Sequence, residues 1–104
     1  MKPPLIFAEG LDLHLYDSVQ DAALDLEAVD VQDGIYAGYD SEGRELLLTV
    51  RDDRIEISVA ESSPGHQRQL AELLRAALAA VGRPADPGAE LPELIEAARI
   101  FRFQ

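Results

Sequence analysis

Leu70, Leu73, Leu74, Ala77, Leu78 and Val81 fall at i, i+3, i+4, i+7, i+8 and i+11, the spacing of one apolar face on an α-helix. Gly82 follows at once and ends the run, since glycine takes the left-handed conformation that closes a helix. Upstream, Ser63-Pro64 has the form of a cap followed by proline at the first helical position, where a missing N–H costs nothing. Burying each larger apolar side chain stabilises by about 1.5–3 kcal/mol, so the stripe alone rivals the about 5–15 kcal/mol that holds a domain together. The rest of the chain has to supply an apolar surface for this helix to cover.

Period-2 segments supply it. Leu11, Leu13 and Leu15 alternate with Asp12, His14 and Tyr16, and Leu5-Ile6-Phe7-Ala8 can pair with them across Glu9-Gly10. Ser18-Val19-Gln20-Asp21 is a helix start, and Val19, Ala22, Ala23 and Leu26 predict a helix over residues 18–28 with Asp21 and Asp25 toward solvent. Asp33-Gly34 signals a turn before a strand at Ile35–Tyr39, and Asp40-Ser41-Glu42-Gly43 a tight turn. Arg44–Val50 and Arg54–Ala60, separated by Arg51-Asp52-Asp53, complete a three-stranded antiparallel meander over residues 34–60. After the main helix, residues 83–90 are a Pro/Gly-rich loop. A short helix over Pro92–Arg99 follows, with Leu94, Ile95 and Ala98 inward, then a tail whose Phe101 and Phe103 dock on the body or on a partner. The order ββαβββα plus a short C-terminal helix predicts an α+β fold, an antiparallel sheet of four to five strands with helices packed on one face. The 104 residues leave room for one domain, residues 1–104.

Charge is divided unevenly along this chain. Residues 9–53 carry thirteen acids against Arg44 and Arg51, which accounts for the whole formal charge of −11, and no Lys or Arg occurs between Pro3 and Gly43. Such a field repels nucleic acid and anionic lipid and attracts basic partners. The absence of cysteine excludes disulfides and thiolate metal sites. The apolar run Leu5–Ala8 is far shorter than a signal-peptide core or the roughly 20 residues that span a bilayer, so a cytoplasmic location is expected.

Catalytic and metal chemistry find no pattern to stand on. His14 and His66 have no partner at ligand spacing, and Asp30–Gly34 and Asp40–Gly43 echo only part of a calcium loop. The hydroxyls lie in no nucleophile elbow, and no glycine-rich loop leads to a phosphate-binding lysine. No catalytic, metal-ligating or cofactor-binding residue is therefore assigned. One sheet face, expected to carry Asp12, His14, Tyr16, Tyr36, Glu45, Leu47, Thr49, Arg54, Glu56 and Ser58 opposite the helices, mixes acids with tyrosines as protein interfaces do.

The runs Leu15-Tyr16-Asp17-Ser18-Val19, Asp25-Leu26-Glu27-Ala28-Val29-Asp30-Val31 and Tyr39-Asp40-Ser41-Glu42-Gly43-Arg44 resemble small acidic bacterial α+β proteins, some similar to immunity proteins of polymorphic toxin systems. The resemblance extends over residues 4–80 and implies a non-enzymatic inhibitor that plugs a basic toxin site. The expectation is thus a protein-binding module, monomeric or homodimeric, that engages a basic protein partner through Asp12, His14, Tyr16, Asp17, Asp21, Asp25 and Tyr36. Two alternatives stand beside it. One is a small-molecule binder or enzyme with a pocket between helix and sheet near Tyr39 or His66. The other is a domain that self-associates through its C-terminal tail.

Overall fold

The structure, a computed structural model, describes residues 1–60 and 65–101. It is an α+β fold built on one antiparallel sheet. Five strands, β1 (Leu5–Glu9), β2 (Asp12–Tyr16), β3 (Ala37–Tyr39), β4 (Glu45–Arg51) and β5 (Arg54–Val59), lie in the order β2-β1-β3-β4-β5. Helices α1 (Val19–Asp25) and α2 (Ala28–Gln32) separate the first hairpin from the meander, and α3 (Gln67–Ala80) and α4 (Leu91–Phe101) follow it.

The α+β class and the antiparallel sheet are as the sequence predicts, but the helices are shared between the two faces. β1 explains why. Its residues Leu5 to Ala8 are all buried, and alternate side chains enter different cores: Ile6 and Ala8 join Leu13 with α3 and α4, while Leu5 and Phe7 join Leu46 and Ile55 with α1 and α2. An unbroken apolar run is what a strand covered on both faces requires. α1 lies against both edge strands, β2 and β5.

α3 buries Leu70, Leu74, Ala77 and Leu78, the predicted stripe. It ends in a Schellman motif: the Arg83 N–H donates to the Leu78 carbonyl at 2.9 Å and the Gly82 N–H to Ala79 at 3.1 Å, with Gly82 at φ +75°. Val81, which the spacing counted into the stripe, is the exposed C-cap residue. α4 buries Leu94, Ile95 and Ala98 as expected. The Arg75 guanidinium fixes the loop between the two helices, donating to the carbonyls of Asp86 at 3.0 Å and Ala89 at 2.5 Å. The Ser63-Pro64 cap and Phe103 lie outside the described residues, and α3 follows His66 directly.

Two boundaries differ from the sequence reading for one reason. The helix predicted over residues 18–28 stops at Asp25, because Leu26 is extended (ψ 142°), and a second helix begins at Ala28. Asp33-Gly34 caps that helix: Gly34 has φ +69°, its N–H donates to Val31 at 3.1 Å, and the Ile35 N–H to Asp30 at 3.3 Å. Ile35 and Tyr36 are consumed in leaving α2, so β3 starts only at Ala37. At its centre Gly38 lies under the Phe7 ring, where an added Cβ would stand 2.7 Å from Phe7 Cε1.

Candidate functional site

The register of the strands divides the residues expected to share one polar face. His14 and Gly38 both pair with Phe7, Gly38 pairs with Leu46, and Leu46 with Val59, so these side chains point to the α1/α2 side. Asp12, His14 and Tyr16 therefore face α1 and α2, whereas Glu45, Leu47, Thr49, Arg54, Glu56 and Ser58 face the other way. The physical cause is the two-sided covering of β1, which leaves no sheet face free of helices along its whole width.

Around α1 and α2 the expected acids take different roles. Ser18 caps α1 by accepting from the Asp21 N–H at 3.0 Å, which places Asp21 in the first turn, where the helix dipole favours a negative charge. Asp25 stands at the opposite end, where the dipole opposes it. The Tyr16 hydroxyl donates to Asp25 Oδ2 at 2.5 Å and offsets that cost. Burial, then the hydrogen bond and charge of Asp25, push the Tyr16 hydroxyl well above its ordinary pKa, so it remains a donor. Its ring also packs on Phe7, centroids 6.0 Å apart.

A second group forms at the β2 end. The His14 and Tyr36 rings meet edge to face at 5.8 Å, and His14 Nε2 lies 3.4 Å from Glu9 Oε1. Burial, then the carboxylates of Asp30, Glu9 and Glu27, raise the Tyr36 pKa. Asp17 departs from both groups and meets Arg99 of α4 at 3.5 Å, while Asp12 is exposed at the β1–β2 turn, opposite Glu9. The seven expected residues thus form two pairs, Tyr16–Asp25 and His14–Tyr36, with the other three dispersed.

Two residues that the sequence reading passed over define this surface better. Leu24 on α1 is 87% exposed and Val29 on α2 is 57% exposed, and Asp21, Asp25, Glu27 and Asp30 flank them along the helices. Leu24 was detectable, since it falls outside the stripe of Val19, Ala22, Ala23 and Leu26. Beside Leu24 a groove of about 550 Å³ runs between the α1–α2 junction and the β4–β5 turn, lined by Ala23, Leu24, Leu26, Ala28, Asp53, Arg54 and Ile55.

Two other polar features are accounted for by the fold. Asp40, fully buried, accepts from the N–H groups of Glu42 (3.0 Å), Arg44 (2.9 Å) and Lys2 (3.2 Å) and from Arg44 Nε (3.1 Å). Although burial alone would raise its pKa, these bonds, with the charge of Arg44, hold it below the usual carboxylate value. The partial calcium-loop echo at Asp40–Gly43 is therefore a turn whose carboxylate is already occupied. Tyr39 meets the His66 ring at 6.4 Å, and His66 Nε2 lies 3.4 Å from Glu45 Oε2. The cavity that Tyr39 lines, about 270 Å³ with Tyr36, Ala37, Gly38, Glu45 and Leu46, opens where β3 parts from β4. Among the described residues no cluster of three or more His, Asp or Glu side chains could hold a metal, and no helix is long and apolar enough to cross a membrane.

Of the likeness to small bacterial proteins, the α+β fold with its five-strand antiparallel sheet is the part the structure carries. Compared with known proteins, the chain matches no family model, no curated protein and no solved structure.

Proposed function

We propose that this chain is a non-enzymatic protein-binding module of the cytoplasm that engages a basic protein through α1 and α2. The observations that carry this reading are two exposed aliphatic side chains, Leu24 on α1 and Val29 on α2, on helices that carry Asp21, Asp25 and Asp30 and no basic residue. Exposed apolar side chains on helices of one charge sign are a feature of protein-binding surfaces. The sign of that charge selects the partner. A second copy docking by this face would set Asp21, Asp25, Glu27 and Asp30 against their own equivalents, and nucleic acid or anionic lipid would meet the same repulsion. A basic protein gains complementary charge, with faster encounter and an association that weakens as salt rises. An immunity-type inhibitor seated on a basic toxin surface is the specific form of this reading that the resemblance of Leu15–Val19 and Asp25–Val31 implies.

Affinity capture from the native host at low and high salt tests it, using the wild type and a Leu24→Lys/Val29→Lys variant in parallel. Both positions are exposed, so the variant should keep its fold. The expected result is a basic protein retained by the wild type at low salt and lost from both the variant and the high-salt wash. If nothing basic is retained, or if the variant captures the same protein equally well, the reading is wrong.

A further inference from the structure

The groove beside Leu24 joins two chemistries in one place. Its walls are Ala23, Leu24, Leu26, Ala28 and Ile55, all apolar, and its mouth carries Asp53. Arg54 also lines it, but its side chain alternates to the sheet face opposite Ile55. The volume, about 550 Å³, lies within the roughly 300–1,000 Å³ of ligand sites and leaves room for a large apolar side chain together with the stem of a neighbouring one.

The acid at the mouth sits where the backbone would favour another residue. Asp52 and Asp53 form the two-residue turn between the paired Arg51 and Arg54, with φ of +52° and +62°. A two-residue hairpin turn with both φ values positive prefers Asn-Gly or Asp-Gly. The chain keeps a carboxylate at the second position, next to an apolar slot and an outward leucine.

We infer that this groove seats a large apolar side chain of the basic partner, with an adjoining Lys or Arg of that partner set on Asp53. The inference rests on the reading of α1 and α2 as a face for a basic protein, and it adds the local motif recognised: an apolar residue next to a cationic one. Charge complementarity selects this occupant. Asp53 lines the groove and Asp52, Asp25 and Glu27 adjoin its lining residues in sequence, whereas the paired Arg51 and Arg54 alternate to the other sheet face; an apolar segment with acidic neighbours, or the same face of a second copy, would therefore be repelled.

The test is an NMR titration of the full chain with end-blocked tripeptides. Arg-Phe-Arg should shift the amides of residues 23–28 and 53–55. Arg-Gly-Arg and Glu-Phe-Glu should each bind at least fivefold more weakly. Asp53→Gly keeps the turn, because glycine suits its φ, and should weaken Arg-Phe-Arg at least threefold. Should Arg-Phe-Arg and Arg-Gly-Arg give equal shifts spread over the acidic half, the apolar seat is wrong while the charge-based reading survives. Equal binding of Glu-Phe-Glu, or no loss with Asp53→Gly, would refute the cationic half of the motif. Should neither cationic peptide bind, both the groove and the wider reading fall.

Discussion

Asp40→Asn isolates the buried carboxylate that organises the β3–β4 turn. In the wild type Oδ1 accepts from the Glu42 and Arg44 N–H groups and Oδ2 from Lys2 N–H and Arg44 Nε. An amide keeps one oxygen and turns an NH₂ toward the two remaining donors, so two charge-assisted bonds are lost and two donors are left facing a third. At about 1.5–3 kcal/mol for a hydrogen bond to a charged group, discounted because Arg44 is half-exposed and regains water, the cost is about 2–4 kcal/mol. The same carboxylate makes the effect depend on pH. Its folded pKa is below the unfolded value, so its stabilisation is complete above the unfolded pKa of about 4 and is lost as pH falls through the lower folded value. Urea unfolding followed by circular dichroism, for wild type and variant at pH 7 and at pH 3 and below, measures both quantities. The difference in stability should be large at pH 7 and shrink on acidification. A difference under 1 kcal/mol at pH 7, or one that does not change with pH, would show that Asp40 is not held as a charged acceptor.

Other substitutions probe the remaining supports. Leu74→Ala empties a fully buried position of α3 and should cost about 2–5 kcal/mol by urea or thermal unfolding. Gly43→Ala should cost more than an ordinary surface change, because the position has φ +81° and a Cβ there would lie 2.8 Å from the Gln67 backbone; the sign to look for is a lowered midpoint with β4 and α3 both affected. Arg75→Met removes the donors that hold the carbonyls of Asp86 and Ala89, and amide exchange over residues 83–90 should accelerate while the centre of α3 stays protected.

Most of the architecture is legible in the sequence because period and punctuation agree in those segments. Residues 70–78 repeat at helical spacing and stop at a glycine, and Ile55, Ile57 and Val59 alternate cleanly after a two-residue turn. The reading fails where two signals share residues. Val29-Asp30-Val31, to which the helix over 18–28 and the turn at Asp33-Gly34 assign no element, alternates like a strand yet forms α2, with Val31 buried beside Leu26 and Ala22. Asp33-Gly34 is a chain breaker in either case, and only the structure shows it closing a helix. The distribution of helices over both faces was encoded in Leu5–Ala8, whose four consecutive apolar residues leave no polar side for solvent. The candidate surface was legible in its charge but not in its centre. Local spacing places the acids on helix exteriors, whereas the groove depends on the β4–β5 turn reaching the α1–α2 junction, a contact between residues about 25–30 positions apart in sequence.

We propose that α1, α2 and the β4–β5 turn form the face on which a basic protein docks. Hydrogen exchange of the chain alone and in complex with the captured partner measures this directly. Exchange should slow over residues 19–32 and 52–55, with α3 and α4 unchanged. Protection confined to α3, α4 or the loop between them would contradict it.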